Sequence, residues 1–300
     1  MFILLVGCPG VGKTTWAENF KKEHKGVCII SSDSIRKELW GDENIQNEPE
    51  KVFKIAHDRI FKALCANTPY VIFDATNITR KSRMSIMNKL EKIKCEKNCL
   101  IFAEPYETLC LHNETRSRRV PNEVIWRMIT QFEAPLKSEG YDKITIVNTE
   151  KRELSEYLDL MQYFNQDNSN HSLDLLSHCD AAARYINEYL KTTENSNKIL
   201  YNAALLHDVG KCFTKSYKDY KGRDSVQAHY YNHEKVGSYL AFIFDTEWDD
   251  FERLTIAQLI CYHMIPYTIN TDKARERWKK RLGYLYDSLM LLHEADKNAH

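Results

Sequence analysis

Gly7-Cys8-Pro9-Gly10-Val11-Gly12-Lys13-Thr14 fits the pattern G-x-x-x-x-G-K-[ST] without a gap, and its flanks supply the context that pattern needs. Phe2 to Val6 is a short apolar run of buried-strand type, and Thr15-Trp16-Ala17-Glu18-Asn19-Phe20 opens a helical pattern. Strand, glycine-rich turn and helix N-terminus together make a phosphate cradle, because backbone N–H groups turn inward and the helix end adds partial positive charge. Gly7, Gly10, Val11, Gly12, Lys13, Thr14 and Thr15 are the expected nucleotide contacts. Lys13, read as an exposed loop lysine, would reach the β and γ phosphates; the Thr14 hydroxyl would ligate Mg²⁺, a hard cation that prefers oxygen.

The chain has 300 residues, nine cysteines and a formal net charge of zero. That length suits two domains, each with its own core. Balanced charge without a basic stripe disfavours sequence-independent gripping of long duplex, and leaves open a nucleic-acid end or a small phosphorylated molecule. The cysteines are scattered; Cys95 and Cys99 are the one close pair, with no second pair to complete a zinc site. Reduced thiols in a cytoplasmic protein are expected. The apolar start is far too short for a signal peptide or a membrane span, so no membrane partner is expected.

Further buried-strand runs follow at Val27-Cys28-Ile29-Ile30, Tyr70-Val71-Ile72-Phe73, Cys99-Leu100-Ile101-Phe102 and Lys143-Ile144-Thr145-Ile146-Val147, separated by helical patterns. The spacing predicts an α/β domain, a parallel sheet flanked by helices, over residues 1–150. Function gathers at the carboxyl ends of such strands. Asp33, just past the second strand, stands where an acceptor hydroxyl could be deprotonated, and is equally suited to cap a helix. Arg36 lies one turn later. Asp74-Ala75-Thr76-Asn77 ends the third strand. Arg80 and Arg83 read as solvated surface, most clearly Arg80. The pattern from Thr108 to Arg119 reads as a helix with a basic end, Arg116, Arg118 and Arg119, as phosphoryl transfer requires of a mobile arginine-bearing lid; Arg116 is the one expected to act.

Residues 1 to about 150 resemble the kinase domain of bacteriophage-type 5′-hydroxyl polynucleotide kinases. The resemblance rests on the loop through Thr15-Trp16, on Asp33-Ser34-Ile35-Arg36, on Thr76-Asn77, and on Asn113-Glu114-Thr115-Arg116 with Val120-Pro121 after it. It implies Lys13 and Thr14 as nucleotide and metal binders, Asp33 as general base, and Arg36 and Arg116 as phosphate contacts. Asp74, Thr76 and Asn77 become acceptor contacts. The family's acidic residue directly precedes its T-N pair, whereas here Ala75 intervenes.

Lys151 to Phe164 is a charged amphipathic helix and Asn165 to Asn170 a polar linker. From residue 171 to the end, the chain is nearly all helix-patterned. His178, His207-Asp208, His233, His263 and Asp296 fall on separate helical patterns, each along or beside an apolar stripe: Ala203 and Leu206, for example, share a face with His207. One histidine on such a stripe is an ordinary core residue; this set is not. Asp208 and Asp296 near helix C-termini are disfavoured as unpaired inward anions, and a divalent cation resolves the conflict. Histidine and carboxylate without cysteine suit Mn, Fe, Co, Ni or Zn, with Mg admissible.

This second set resembles the HD phosphohydrolase superfamily, whose pattern is H…HD…D. The runs from Asn170-His171-Ser172 to His178, Ala203 to Lys211 and His229 to Glu234 are particularly similar to the HD domains of bacterial tRNA nucleotidyltransferases and related RNA-processing proteins. The resemblance implies an all-α domain over 171–300 with one or two metals. His178, His207, Asp208 and Asp296 would be core ligands, His233 and His263 second-metal ligands, and Lys211 and His229 phosphate contacts. Joined to a kinase using ATP and Mg²⁺, it implies an enzyme that phosphorylates 5′-OH ends of RNA or DNA and removes a 2′,3′-cyclic or 3′-phosphate, leaving ends for a ligase. Two rivals are a small-molecule or nucleoside kinase fused to a nucleotide phosphohydrolase, and a kinase with a metal-free, RNA-binding helical platform.

Overall fold

The computed structural model describes residues 1–116, 118–147, 150–167, 173–189 and 194–299. Strands β1 (Phe2–Val6), β2 (Val27–Ser31), β3 (Tyr70–Asp74), β4 (Lys97–Phe102) and β5 (Lys143–Val147) form one parallel sheet in the order β2-β3-β1-β4-β5. β1 is buried along its whole length. Continuous apolar sequence is what a parallel strand covered on both faces demands. Around the sheet run α1 (Lys13–Glu23), α2 (Ser32–Trp40), α3 (Pro49–Cys65), α4 (Arg80–Lys89), α5 (Tyr106–Glu114) and α6 (Asn122–Ile129). The chain leaves β1 on one side for β2 and crosses after β3 to β4 on the other. The strand order therefore reverses at β1, and the crevice beyond the strand ends there is where such sheets bind ligands.

Two sequence expectations change here. Helix α5 stops at Glu114, not Arg119, and Asn113 closes the loop that follows by bonding Val120 N (2.9 Å) and Val120 O (2.6 Å). Arg116 and Arg118 thus ride on a loop clamped at its base, and the helix dipole does not account for them. Arg83, expected in solvent, is 0% exposed. Its guanidinium pairs twice with Glu139 (2.7 and 2.8 Å) and donates to Asn77 O and Ile78 O, while Tyr141 OH donates to Glu139. The pair ties the segment after β3 to the approach of β5. Burial of the ion pair is tolerated because these partners take up its remaining donors and acceptors.

The chain divides into two compact units, Met1–Met128 with Glu139–Thr149, and Ile129–Ser138 with Glu150–His300. The second is mostly helical: α7 (Leu154–Gln162), α8 (Leu175–Tyr189), α9 (Glu194–Leu206), α10 (Lys211–Thr214), α11 (His233–Ala241), α12 (Asp250–Tyr262), α13 (Asp272–Leu282) and α14 (Leu285–Asn298). The helix-patterned reading did not include its strands, a two-residue pairing of β6 (Arg152–Glu153) with β9 (Phe244–Asp245) and a hairpin of β7 (Lys215–Lys218) with β8 (Asp224–Tyr230). Val236, Ile243, Ile256, Leu259, Leu289 and Leu292, on or just past α11, α12 and α14, are all buried. Residues 129–138 belong to this core: Phe132 meets the rings of Tyr239 and Phe242 edge-on, and the buried Gln258 and Tyr262 of α12 donate to Pro135 O and Ala134 O.

Gly210 sets how closely this core assembles. A Cβ there would lie 2.0 Å from His233 O and 2.8 Å from Gly237 N, both backbone atoms of α11 that cannot swing aside. The missing side chain therefore lets the segment carrying Asp208 abut the start of α11.

Arg83→Ala leaves Glu139 buried without its partner and should lower the stability of the first unit by about 3–5 kcal/mol. Urea unfolding monitored by intrinsic fluorescence checks this; a loss below about 1 kcal/mol would mean that water replaces the guanidinium at no cost. Gly210→Ala should shift or abolish the cooperative unfolding of the second unit, since the clash is with main chain.

Candidate functional site

The first unit carries a cleft of about 940 Å³, lined by Gly10 to Trp16, Asp33, Arg36, Asp74, Thr76, Arg116 and Arg118 among others. Gly12 is the N-cap of α1 at φ +87° with nothing near its Cβ position, so the left-handed backbone, rather than space, calls for glycine. No acidic residue occupies the first turn of α1, which leaves that helix end free for an anion. Lys13 is buried, contrary to the exposed lysine expected, with Nζ donating to Gly7 O (2.9 Å) and Cys8 O (2.8 Å). Burial pulls it below the usual ammonium range, against the opposing charge of Asp74.

Thr14 donates its hydroxyl to Asp74 Oδ2 at 2.7 Å. A P-loop hydroxyl beside a carboxylate from the end of a neighbouring strand is the oxygen pair that holds Mg²⁺ in P-loop enzymes, and the structure places Asp74, expected among the acceptor contacts, against Thr14. Burial raises the Asp74 carboxyl above its usual range, opposed by Lys13 and the Thr14 hydrogen bond. The residues in place fit a hard divalent cation, which the Thr14 hydroxyl and the Asp74 carboxylate would hold. Arg116 is near enough to act on both Lys13 and Asp74, and its buried Nη1 has no hydrogen-bond partner among the described residues.

Across the cleft, the Ser31 hydroxyl caps α2 by accepting from Asp33 N and Ser34 N. The cap role falls to Ser31, and the Asp33 side chain is left for other work. Its Oδ1 accepts from Arg36 (2.9 Å), and its Oδ2 is paired with Arg118. Arg118 is the residue that sequence reasoning passed over in favour of Arg116; spacing along a supposed helix could not show that it folds onto Asp33. Thr76 lines the cleft and its carbonyl accepts from Gly7 N. Asn77 does not line it: buried at φ +47°, it donates to Leu5 O and holds the turn after β3.

In the second unit, His178 lies on α8, His233 begins α11 and Asp296 lies on α14, while His207, Asp208 and His263 sit just past the ends of α9 and α12 instead of within helices. The structure gathers all six. Each imidazole donates Nδ1–H to a backbone carbonyl: His178 to Ala299 (2.8 Å), His207 to Ala204 (2.7 Å), His233 to Tyr230 (2.7 Å) and His263 to Ile260 (2.8 Å). A carbonyl can only accept, so in neutral rings this fixes the tautomer and turns the Nε2 lone pairs inward. There they meet other acceptors. His178 Nε2 is 3.1 Å from Asp296 Oδ1, His207 Nε2 is 3.4 Å from both Asp208 Oδ2 and Asp296 Oδ1, and His233 Nε2 is 3.1 Å from Asp208 Oδ1 and 3.2 Å from His263 Nε2.

Buried acceptors facing acceptors require positive charge between them. Two triads have metal-ligand spacing, His178-His207-Asp208 and Asp208-His233-His263, and they share Asp208. The donor set, imidazole and carboxylate without thiolate, fits one or two first-row divalent ions. Burial, with the neighbouring His233 and His207, pushes His263 down to about 3, so His263 does not supply that charge by protonation. Burial disfavours the charged Asp208, yet Lys211 and His207 hold it well below the usual carboxylate range. Lys211 Nζ lies 2.6 Å from Asp208 Oδ2, and Tyr267, not singled out in the sequence, donates to Asp296 Oδ2 at 2.8 Å. Both hold a carboxylate of the cluster in place. His229 is placed elsewhere: on β8, it bonds Ser225 and stacks on Tyr231. His171 and its neighbours 170 and 172 lie outside the described residues.

All nine cysteines are free, and among the described residues no helix is long and apolar enough to cross a membrane. Residues 2–135 match the AAA domain family and residues 168–298 match the HD domain family. The chain is similar to the L-seryl-tRNA(Sec) kinase of Methanococcus maripaludis, 28% identical over 175 residues that cover 56% of this chain and 67% of that protein. Among solved structures, it is similar to a chain of a Pnkp1/Rnl/Hen1 RNA repair complex, at 25% identity, 43% coverage of each chain and a TM-score of 0.38. A gluconokinase from Sinorhizobium meliloti 1021 aligns at 17% identity over 51% of this chain and 85% of that one, with a TM-score of 0.36. The chain thus spans less than half the length of the RNA repair protein it aligns with. A phosphate loop on a five-stranded parallel sheet and a His–Asp cluster in a helical unit are the two features that these family matches share out between them, and the chain carries a P-loop kinase domain of the AAA type followed by an HD domain.

Proposed function

We propose that the chain heals nucleic-acid ends, adding a phosphate to a 5′-OH in the first unit and removing a 2′,3′-cyclic or 3′-phosphate in the second. One observation carries the acceptor side: Asp33 shares the cleft with the phosphate loop and holds two guanidiniums, those of Arg36 and Arg118. A carboxylate base flanked by two anion-binding groups suits a hydroxyl that has phosphate beside it, as the terminal 5′-OH of RNA or DNA does. Asp33 takes the hydroxyl proton, the freed oxygen bonds to the γ-phosphorus of ATP, and the bond to the bridging β–γ oxygen breaks, releasing ADP. Lys13 and Arg116 face the phosphates and stabilise the spread charge.

In the second unit, His178, His207, Asp208 and Asp296 would hold one metal, and His233 and His263 with Asp208 a second. Divalent metal bound there supplies Lewis acidity toward phosphoryl oxygens and an activated water. Asp208 offers one oxygen to each triad, and Lys211 and Tyr267 keep the two carboxylates in register. Hydrolysis of a cyclic phosphate or a 3′-phosphate, paired with 5′ phosphorylation, leaves ends that a ligase can join. The similarity to a seryl-tRNA kinase supports a second reading, a hydroxyl carried on tRNA as acceptor.

Incubation with ATP, Mg²⁺, Mn²⁺ and an RNA bearing a 5′-OH and a 2′,3′-cyclic phosphate, with both ends read, tests the proposal, and seryl-tRNA as competing acceptor separates the two readings. Lys13→Ala should lower phosphoryl transfer by on the order of 10²–10³. Asp33→Ala should cost about 10²–10⁴ in 5′ phosphorylation and spare 3′-end hydrolysis. Asp208→Ala should do the reverse and strip divalent metal, read by elemental analysis of the purified protein. Loss of both activities in a folded Asp33→Ala protein would instead indicate one composite site.

A further inference from the structure

The β7–β8 hairpin of the second unit supplies none of the six residues of the His–Asp centre. It is nonetheless rooted there. Lys211, on Asp208, opens the short helix before it, and His233 follows it directly, bonded to Tyr230 O at 2.7 Å. Its base is fixed on the segment before α8: Lys215 and Tyr217 both bond the Asp167 carboxylate, and Ala228 N donates to Asp167 O. Its far end is equally ordered. The Asp219 carboxylate accepts from Lys221 N (2.8 Å) and Arg223 N (2.9 Å), and pairs with the Arg223 side chain.

This rigid arm presents side chains that a core would bury. Tyr217, Tyr220 (76% exposed) and Val226 (97% exposed) stand in solvent with Lys218, Lys221 and Arg223 between them, and the Lys221 ammonium lies over the Tyr220 ring, 5.3 Å from its centroid. Nearer the root, Tyr231 and His229 form a parallel stack with ring planes 9° apart. Exposed rings interleaved with cations are the means by which proteins hold single-stranded nucleic acid: each base has a face to stack, and each phosphate a charge to meet. Duplex, whose bases are already stacked, has no use for the rings.

Resting on the end-healing reading above, we infer that the hairpin is an arm for single-stranded nucleic acid, which grips the strand whose 3′ end enters the His–Asp centre. The arm makes the second unit an enzyme of strand ends rather than of free nucleotides. Pre-ordering of its base and tip means that binding orders the strand alone.

The test compares the full chain with a Lys218→Ala, Tyr220→Ala, Lys221→Ala variant, all three substitutions lying in solvent. Fluorescence anisotropy of a fluorescein-labelled 12-nucleotide RNA, 5′-phosphorylated so that it offers the kinase cleft no acceptor hydroxyl and read without ATP, should show binding weakened about tenfold or more and less dependent on salt. Hydrolysis of a mononucleotide 2′,3′-cyclic phosphate should be unchanged, which shows the centre intact. Equal binding by both proteins, no binding by either, or equal loss of grip on a 12-base-pair duplex overturns the arm. If the wild type binds the 12-mer in the expected way yet hydrolyses no phosphate, the end-healing reading fails and the arm stands.

Discussion

Four backbone carbonyls decide what the second unit can do. Those of Ala204, Tyr230, Ile260 and Ala299 each take an Nδ1–H, and so each imidazole, when neutral, turns its Nε2 lone pair toward the centre. Had the rings bonded carboxylates through Nε2–H instead, the same residues would form an ordinary satisfied core. Two of the carbonyls come from helix ends, those of Ala204 and Ile260 in the last turns of α9 and α12, while Tyr230 ends β8 and Ala299 follows α14. The fold thus turns a general liability of helix termini into ligand orientation. Gly210 completes the arrangement by letting the Asp208 turn press against α11, so that one carboxylate reaches both triads.

Much of this was legible in the sequence, for physical reasons that differ between the halves. A phosphate loop is local, eight consecutive residues whose backbone does the binding, so it can be read without knowing the fold. The His–Asp set is not local, but each member lies beside an apolar stripe, and stripes that must bury themselves in one core bring their neighbours together. What periodicity could not give was the last turn. It ran α5 to Arg119 and kept His207 and His263 in helices, because a pattern of side chains carries no signal for where a carbonyl loses its partner. Arg83 was misjudged for a related reason. A charged residue reads as surface unless its partner is known, and Glu139 lies 56 residues away.

Asp74 shows how register corrects motif. One residue earlier than expected relative to Thr76-Asn77, it still ends β3, and parallel pairing aligns that strand with β1 so that the two carboxyl ends open on the same crevice. The Thr14 hydroxyl is then 2.7 Å away, and Asn77, which the motif assigned to the acceptor, is drawn inward to bond Leu5 O. The Arg83–Glu139 pair fixes this choice, since the guanidinium binds the carbonyls of Asn77 and Ile78 and keeps the turn from sliding by a residue.

The same reasoning bears on Asp33, whose carboxylate can serve as a base only if an oxygen is free to accept a proton. In this structure Oδ1 is engaged by Arg36 and Oδ2 by Arg118. Arg36 shares helix α2 with Asp33, one turn on, and keeps its place through the helix itself. Arg118 belongs to the loop clamped by Asn113 and Val120, which fixes the ends of the loop and not its side chains. Of the two contacts, the one from the loop is therefore the cheaper to exchange. An anionic acceptor offers Arg118 a partner of at least equal charge, and the exchange would release an Asp33 oxygen at the moment that a hydroxyl arrives to use it. A neutral acceptor offers no such exchange, so with Asp33 as the base of the proposed 5′ phosphorylation these two ion pairs would favour acceptors that carry phosphate.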